Sequence, residues 1–404
     1  MRAVRGRRVL LGVTGGIACY KALFVARDLT LAGAEIDVVL TASALEFVGR
    51  ITFEALTGRP THTALIAPGH ALDHIRLARA ADAVVVAPAT ADFLARAAHG
   101  RADDLLSACL LATSAPVLLV PAMNDRMWAH PQTRRNAEHL RELGYRVLEP
   151  DEGPLAAGEG SGPGRMPEPE HVIAHIARLL GEGGPLAGRS VLVTAGPTRE
   201  AVDPVRFLSN HSSGRMGVAV AAAAWRRGAE VTLVHGPLSV APPVGVRTRA
   251  VESTEEMCAA VRDELPGADV LVMAAAPADF RPAAAASGKI KKGEGVPSLD
   301  LQPTPDILLT TRDARRPGAV IVGFALETGD PVPSARDKLA RKGLDLVVAN
   351  DATEAGAGFG VPTNRVTLVH RAGGAEALPL LGKDEVAEEI LDRVAALLGG
   401  GGGR

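Results

Sequence analysis

Cysteine is scarce and poorly spaced for structural use: Cys19, Cys109 and Cys258 are the only three, and no Cys-x-x-Cys pair occurs. A disulfide framework and a cysteine zinc site are therefore excluded as organising devices. Aromatic residues are 3% of the chain, too few to build the stacking platforms that hold single-stranded nucleic acid. Neither sign of charge dominates. Lys and Arg number 44 against 46 Asp and Glu, a formal balance of −2, so no global basic field exists to attract nucleic acid or an anionic membrane. No apolar run approaches the roughly 18 residues of a membrane span. The opening Arg2, Arg5, Arg7 and Arg8 before VLLGVTGGIAC imitates a secretory leader. That run, however, contains Gly15-Gly16, lacks a small-x-small cleavage site and passes through Lys21 into a helical pattern, so a reducing cytoplasm is the expected setting. The GxGxxG dinucleotide fingerprint is also missing, and an NAD site is not indicated.

What the chain has in excess is glycine and proline, 44 and 28 residues, beside a hydrophobic content of 47%. Disordered chains lack apolar residues, so the excess predicts tight turns and ligand-cradling loops. At 404 residues the chain has length for two or three domains. Arg8 to Thr41 reads as strand, glycine turn, helix from Tyr20 to Leu31, and strand, a βαβ opening. The apolar runs from Ala83 and Val117 read as buried parallel strands, with helices over 91–98 and 103–112. From Pro150 to Arg165 the hydrophobic period vanishes among turn formers, which predicts a mobile loop. A helix over 168–180 and the glycine-rich 181–188 then lead to a restart at Arg189, with strands near 190, 230, 269, 319, 344 and 365, helices over 215–227 and 383–398, and a frayed glycine tail. The expected fold is two doubly wound, Rossmann-like parallel-sheet α/β domains, the first flavodoxin-like, over 1–188 with a flexible flap at 151–166, the second over 189–404.

Ligands of open parallel sheets sit at the carboxyl ends of the strands. The polar punctuation of the first half falls there: Thr14-Gly15-Gly16, Thr41-Ala42-Ser43, Pro88 to Asp92 and Pro121 to Asn124. Each is an ordinary turn alone. In combination, PATAD at Pro88, PAMNDRMW at Pro121, HIRLARAAD at His74 and GPGRM at Gly162 resemble the flavin-dependent cysteine decarboxylases, over about residues 8–180. The resemblance implies FMN, its phosphate held by Gly15, Gly16, Thr41 and Ser43, with Pro88, Thr90 and Ala91 near the ring. Hydroxyls and helix-start N–H groups are suitable phosphate donors. It implies His74 as the base that assists thiol oxidation, Asn124 on the departing carboxylate, Met123 in the substrate wall, and Arg165 closing over the substrate phosphate. A lone histidine is by default a surface or core residue, the reading kept for His62, His70 and His99. One departure stands out: the family's flap cysteine, the acid of the reductive step, is absent from Ala156-Ala157-Gly158-Glu159-Gly160-Ser161. Glu159, water or another flap residue is expected in its place.

The second half carries TAGPTRE, DPVRF, SNHSSG, KIKK at Lys289 and GFALET in order. A polar, glycine-bearing insertion between strand and helix cradles anions or is a surface excursion. Lys338 and Lys342 are four apart and share a helix face, by default a solvated one. Together the motifs resemble phosphopantothenate–cysteine ligases over about 190–398. The resemblance implies CTP contacts at Ala275, Asp279, Lys289, Pro305, Asp306, Ile307, Leu308, Phe324, Lys338 and Lys342. Asn210 would stabilise the acyl cytidylate, Arg206 assist the cysteine step, Lys289 serve amide formation, and Ser212, Ser213 and Gly214 face the phosphopantothenate phosphate. Mg²⁺ is expected for a triphosphate that loses pyrophosphate, with Asp279 its nearest protein neighbour.

Both halves on one chain resemble the bifunctional bacterial coenzyme A enzymes. These join 4'-phosphopantothenate to L-cysteine, then decarboxylate the product to 4'-phosphopantetheine. The resemblance implies a cytoplasmic homo-oligomer, trimeric through the first half and dimeric through the second, with no nucleic acid or membrane partner. Two alternatives stay open: a ligase whose flavin half is impaired, and a flavin-binding regulatory protein, against which KIKK and SNHSSG argue.

Overall fold

The computed structural model describes residues 2–400 apart from 67, 70, 159, 292–297, 355 and 359. Glu159, His70, Lys292 and the end of the glycine tail lie outside the described residues. The chain divides into two compact units, Met1–Glu182 and Gly183–Arg404.

The first unit opens with β1 (Arg8–Val13), α1 (Cys19–Leu31), β2 (Glu35–Leu40), α2 (Arg50–Thr57), β3 (Thr61–His62) and α3 (Asp73–Ala80). It continues through β4 (Ala83–Ala89), α4 (Ala91–Ala98), α5 (Leu105–Ala112), β5 (Val117–Pro121), α6 (Asp125–Ala129), α7 (Pro131–Glu142) and β6 (Arg146–Val147). A hairpin, β7 (Asp151–Pro154) and β8 (Ser161–Arg165), precedes α8 (Pro169–Leu180). The six-stranded sheet has the order β3-β2-β1-β4-β5-β6 and is parallel throughout. That is the doubly wound Rossmann order; flavodoxin's 2-1-3-4-5 is not the order found, which corrects the finer expectation. Alternate residues of β1 feed two cores: Val9, Leu11 and Val13 pack beneath α1 and α8, Leu10 beneath α5. Burial on both faces is why the strands read as unbroken apolar runs.

The expected mobile loop at 151–165 is an antiparallel hairpin. Its strands, DEGP and SGPGR, hold none of the β-branched or aromatic residues by which strands are recognised. Close approach explains the glycines. A Cβ on Gly164 would lie 2.2 Å from the Met123 carbonyl oxygen, and one on Gly162 3.0 Å from Asp125 Cβ. The Met123 N–H donates to the Gly164 carbonyl at 2.9 Å.

The second unit begins with β9 (Ser190–Ala195), a short hairpin β10 (Arg199–Ala201) and β11 (Phe207–Ser209), α9 (Arg215–Arg226), β12 (Glu230–His235), β13 (Arg247–Ala250), α10 (Thr254–Glu264) and β14 (Val270–Met273). The pair β15 (Phe280–Pro282) and β16 (Leu301–Pro303) leads to α11 (Ile307–Thr310), β17 (Val320–Glu327), α12 (Val332–Lys342) and β18 (Leu346–Asp351). The unit ends with β19 (Thr363–Asn364), β20 (Thr367–His370), β21 (Ala375–Ala377), β22 (Leu381–Gly382) and α13 (Lys383–Gly400). Its eight-stranded sheet runs β13-β12-β9-β14-β17-β18-β20-β21. Six strands are parallel, while β20 and β21 add antiparallel to the edge, so this sheet is mixed rather than purely parallel. In each unit the strand order reverses beside the first strand, between β1 and β4 and between β9 and β14, which opens a crevice at the carboxyl ends.

Candidate active sites

Each crevice holds a cavity. In the first unit about 400 Å³ is enclosed by the turns after β1, β4 and β5 and by the hairpin. Local capping puts the polar residues there. The Thr90 hydroxyl accepts the Phe93 N–H at 3.3 Å and so starts α4; the Asn124 side-chain oxygen accepts the Arg126 N–H at 2.9 Å and starts α6. Both residues serve as helix N-caps, which fixes them at the crevice mouth. Thr14 ties two strand ends together. Its hydroxyl donates to the Pro88 carbonyl at 2.8 Å and accepts the Thr90 N–H at 3.0 Å. Gly15 is needed for a close approach, since a Cβ there would meet Ser43 Cβ at 2.3 Å and the Ser43 carbonyl oxygen at 2.8 Å.

Of the residues singled out in the first half, Gly15, Gly16, Pro88, Thr90, Ala91, Met123, Asn124 and Arg165 line this cavity. Ser43 reaches it only through its contact with Gly15. Thr41 stands behind, its hydroxyl donating to the Val13 carbonyl at 3.4 Å and accepting the Ala44 N–H at 3.3 Å. His74 lies on α3, away from the cavity wall, and its buried Nδ1 has no hydrogen-bond partner among the described residues. Sequence reasoning overlooked Lys21. It reads as a solvated helix position, yet it is 4% exposed, lines the cavity, and donates to the Met166 carbonyl at 2.7 Å and Glu168 Oε1 at 3.2 Å. Arg165 donates to the same carboxylate at 2.5 Å, so Glu168 anchors both cations at the base of the hairpin. None of the three cysteines stands in for a flap thiol. All are buried, and burial pushes the Cys19 and Cys258 thiols up and that of Cys109 to about 12.

The second cavity, about 430 Å³, is larger in charge rather than in size. The segment between β11 and α9, the turn after β14, residues of β17, α12 and β18, and the N-terminus of α11 converge on it. Asp306 caps α11 by accepting the Leu309 N–H at 3.3 Å and pairs with Lys342 at 2.7 Å. Burial pushes the Asp306 carboxyl up, but Lys342 outweighs it and leaves the group below its ordinary value. Lys338, on the same face of α12, donates to the Phe324 carbonyl. Burial, reinforced by Lys342, brings its ammonium down to about 8. Asn210 reaches in from the long insertion, its amide donating to the Ala276 and Pro277 carbonyls at 3.2 and 3.0 Å. Gly214, at φ 75°, turns the chain into α9.

Asn210, Ser212, Ser213, Gly214, Ala275 and Asp279 thus share one wall with Pro305, Asp306, Ile307, Leu308, Phe324, Lys338 and Lys342. Two predicted residues stand apart. Arg206 is exposed on the insertion and Lys289 is exposed beyond β15, neither on the cavity wall. Asp203 joins the two loops that bear them. Its carboxylate accepts the Val205 and Arg206 N–H groups at 2.8 Å, Arg206 Nε at 2.9 Å and the Ile290 N–H at 3.1 Å, while Arg206 donates to the Ile290 carbonyl at 2.8 Å. The Arg206 guanidinium holds this carboxyl far below the usual carboxylate range. The Asp-Pro turn of DPVRF was the available signal for this hub. Arg215, Asn350, Asn364 and Lys383 also line the cavity and belong to no motif. Among the described residues, no three His, Cys, Asp or Glu side chains converge as a metal site, and no helix is long and apolar enough to cross a membrane.

Comparison with known proteins matches the two halves of the chain to one group. The family described as Flavoprotein covers residues 1–181, and the DNA/pantothenate metabolism flavoprotein C-terminal domain covers residues 186–398. The Coenzyme A biosynthesis bifunctional protein CoaBC of Mycobacterium tuberculosis strain H37Rv is 49% identical over 410 residues, 98% of this chain and 97% of its own. The protein of the same name from Bacillus subtilis strain 168 is 43% identical over 399 residues, 98% of each chain. Among solved structures, the C-terminal domain of a Coenzyme A biosynthesis bifunctional protein CoaBC is 40% identical, with a match covering 54% of this chain and 98% of that one at a TM-score of 0.45. With relatives this similar along nearly its whole length, the chain belongs to the CoaBC family of bifunctional coenzyme A biosynthesis proteins.

Proposed function

We infer that this chain catalyses two successive steps of coenzyme A biosynthesis: CTP-dependent ligation of 4'-phosphopantothenate to L-cysteine in the second unit, and FMN-dependent decarboxylation of the product in the first. The observation that carries the reading is the convergence on the second cavity of motif residues from the SNHSSG segment, the turn after β14, the start of α11, β17 and α12. In the ligation, the substrate carboxylate attacks the α-phosphorus of CTP and displaces pyrophosphate, and the cysteine amine then attacks the acyl carbon and releases CMP. Lys338 and Lys342 supply positive charge to the nucleotide, Asp306 orients Lys342, and the apolar Ile307, Leu308 and Phe324 exclude water. Asn210, its amide already aimed across the crevice, stabilises the acyl cytidylate. With one exposed carboxylate, Asp279, on the wall, Mg²⁺ is carried chiefly by the phosphates and water, as suits its chemistry.

The first cavity fits FMN. Gly15 keeps open a cradle that a Cβ would close against Ser43, the starts of α1 and α4 face it, and its volume is that of a small-ligand site. FMN held there by Gly15, Gly16, Pro88, Thr90 and Ala91 would supply the reversible two-electron acceptance that transient thiol oxidation, and with it loss of CO₂, requires. Asn124 binds the departing carboxylate, Met123 forms the wall, and Arg165 exchanges Glu168 for the substrate phosphate. His74 and Lys289 stand off the cavities of their own chain, which supports sites completed by neighbouring chains, in trimers of the first half and dimers of the second. Three free cysteines fit a cytoplasmic setting. The test is pyrophosphate release by the full chain with 4'-phosphopantothenate, cysteine, CTP and Mg²⁺. Release that requires CTP and the phosphopantothenate supports the reading; no release in the complete mixture overturns it.

A further inference from the structure

The turn after β14 and the start of α11 face the second cavity through Ala275 to Asp279 and Thr304 to Leu308. Behind them lies a buried polar cluster. It is built from two residues of the TAGPTRE motif, Thr198 and Glu200, and from Thr254, the first residue of α10. Thr198 is fully buried and Glu200 is 4% exposed, and none of the three lines the cavity. Among the described residues no ion pair reaches Glu200; its Oε1 accepts the N–H and the hydroxyl of Thr254, each at 2.8 Å.

The carboxylate sets the direction of the bonds that follow. Thr254 gives its proton to Glu200, so in its 2.8 Å contact with the Thr198 hydroxyl it accepts and Thr198 donates. The Thr198 oxygen keeps its lone pairs and takes the Ala278 N–H at 2.9 Å. The Ala278 carbonyl accepts the Thr304 hydroxyl at 2.5 Å, and the Thr304 N–H donates to the Asp279 carbonyl at 3.0 Å. One chain of bonds thus runs from a buried carboxylate on β10 to both loops that present Asp279 and Asp306 to the cavity. Packing alone would be served as well by apolar residues. Hydrogen bonds in series, away from water, strengthen one another and fix the groups at their ends.

Building on the ligase reading above, we propose that Glu200, Thr254 and Thr198 form a positioning relay that fixes the turn after β14 and the start of α11 in the geometry that receives CTP. None of the three touches the nucleotide. Glu200 orients Thr254, Thr254 orients Thr198, and Thr198 pins Ala278. Ala278 sets Asp279 directly and, through Thr304, sets Asp306 with its partner Lys342.

The test is calorimetric titration of the full-length chain with CTP and Mg²⁺, without the other substrates, in the wild type and in Thr198→Val, Thr198→Ser and Thr254→Val variants. Valine keeps the shape of threonine and removes the hydroxyl, whereas serine keeps the hydroxyl. Expected for Thr198→Val is a rise in Kd for CTP of about fivefold to tenfold, the scale of a lost buried hydrogen bond. Thr254→Val leaves the Ala278 N–H its acceptor and shows a smaller rise, and Thr198→Ser stays within about twofold of wild type. KM for cysteine, from pyrophosphate release at saturating CTP, stays near the wild-type value in all three. Wild-type affinity in Thr198→Val overturns the proposal. An equal loss in Thr198→Ser overturns it, because side-chain volume and not the hydroxyl then matters. A KM for cysteine that rises in parallel overturns it too, because the whole cavity has then loosened. If Thr198→Val does not fold, judged by its melting transition, Thr254→Val decides, and wild-type affinity there overturns the proposal. Failure of the wild-type chain to bind CTP is a separate result and counts against the ligase reading itself.

Discussion

The two units place a cavity at the same topological point, where the strand order reverses, and furnish it in opposite ways. In the first unit the wall is chiefly glycine, proline, alanine and methionine, with Thr90 and Asn124 as its neutral polar groups, and the cations Lys21 and Arg165 are both held by Glu168. In the second, Lys338, Lys342, Arg215, Lys383, Asp279 and Asp306 crowd a cavity of similar volume. The difference follows from where the chemistry resides. A bound redox cofactor brings its own electron sink, and the protein supplies a cradle and orientation. Nucleotidyl transfer brings only charge, and the protein must answer it with its own charges, preorganised in a water-poor site. One fold serves both because its strand-end loops are free to vary while the sheet is not.

That contrast breaks most sharply at Gly15. Gly15→Ala forces a methyl against Ser43, and the expected result is loss of most bound flavin, read from the visible absorbance of the purified chain, with pyrophosphate release within about twofold of wild type. A comparable drop in both activities would mean that the units are not chemically separate.

Lys342→Met is the counterpart in the second unit. It leaves the Asp306 carboxylate partly buried and unpaired, so KM for CTP is expected to rise about tenfold or more, with flavin content unchanged. Unchanged CTP kinetics would remove Lys342 from the nucleotide site.

A smaller effect is expected at the hairpin. Gly164→Ala must push β8 off the Met123 carbonyl, and decarboxylation should fall by about threefold to tenfold while flavin is retained. Faster proteolytic cleavage near residues 155–160 would accompany it, and an unaltered rate of decarboxylation would show that the hairpin does not help close the site.

The smallest effect concerns pH. The Lys338 ammonium, brought to about 8 by burial and Lys342, is charged below that pH and largely neutral above it. An anion bound beside it favours the charged form, so CTP binding near pH 8.5, about half a unit above that value, takes up a fraction of a proton and weakens as pH rises further. Calorimetry in two buffers of different ionisation enthalpy measures the uptake. Lys338→Arg, which keeps its charge across this range, should abolish it, and uptake that persists in that variant assigns the proton elsewhere.

The sheets were legible because their strands are valine and leucine runs buried on both faces, such as Ala83 to Val86. The hairpin at 151–165 was not, since glycines chosen for backbone contact erase the pattern that marks a strand. Motif residues such as Asn124, Asp306 and Ser212 were legible as polar punctuation between elements, and capping of α6 and α11 explains why the first two sit there. Lys21 was hidden because a lysine on a helix reads as solvated until the element that covers it is known. Arg215 and Lys383 were hidden for a different reason: 168 positions separate them, and only the packing of α9 against α13 brings them to one cavity.

The central claim is that one chain carries both reactions although its flap lacks a cysteine. The most direct measurement is the ratio of CO₂ to pyrophosphate released by the full-length, flavin-loaded chain from 4'-phosphopantothenate, carboxyl-labelled cysteine, CTP and Mg²⁺. The account predicts both products, approaching one CO₂ per pyrophosphate at completion; pyrophosphate without CO₂ would contradict it.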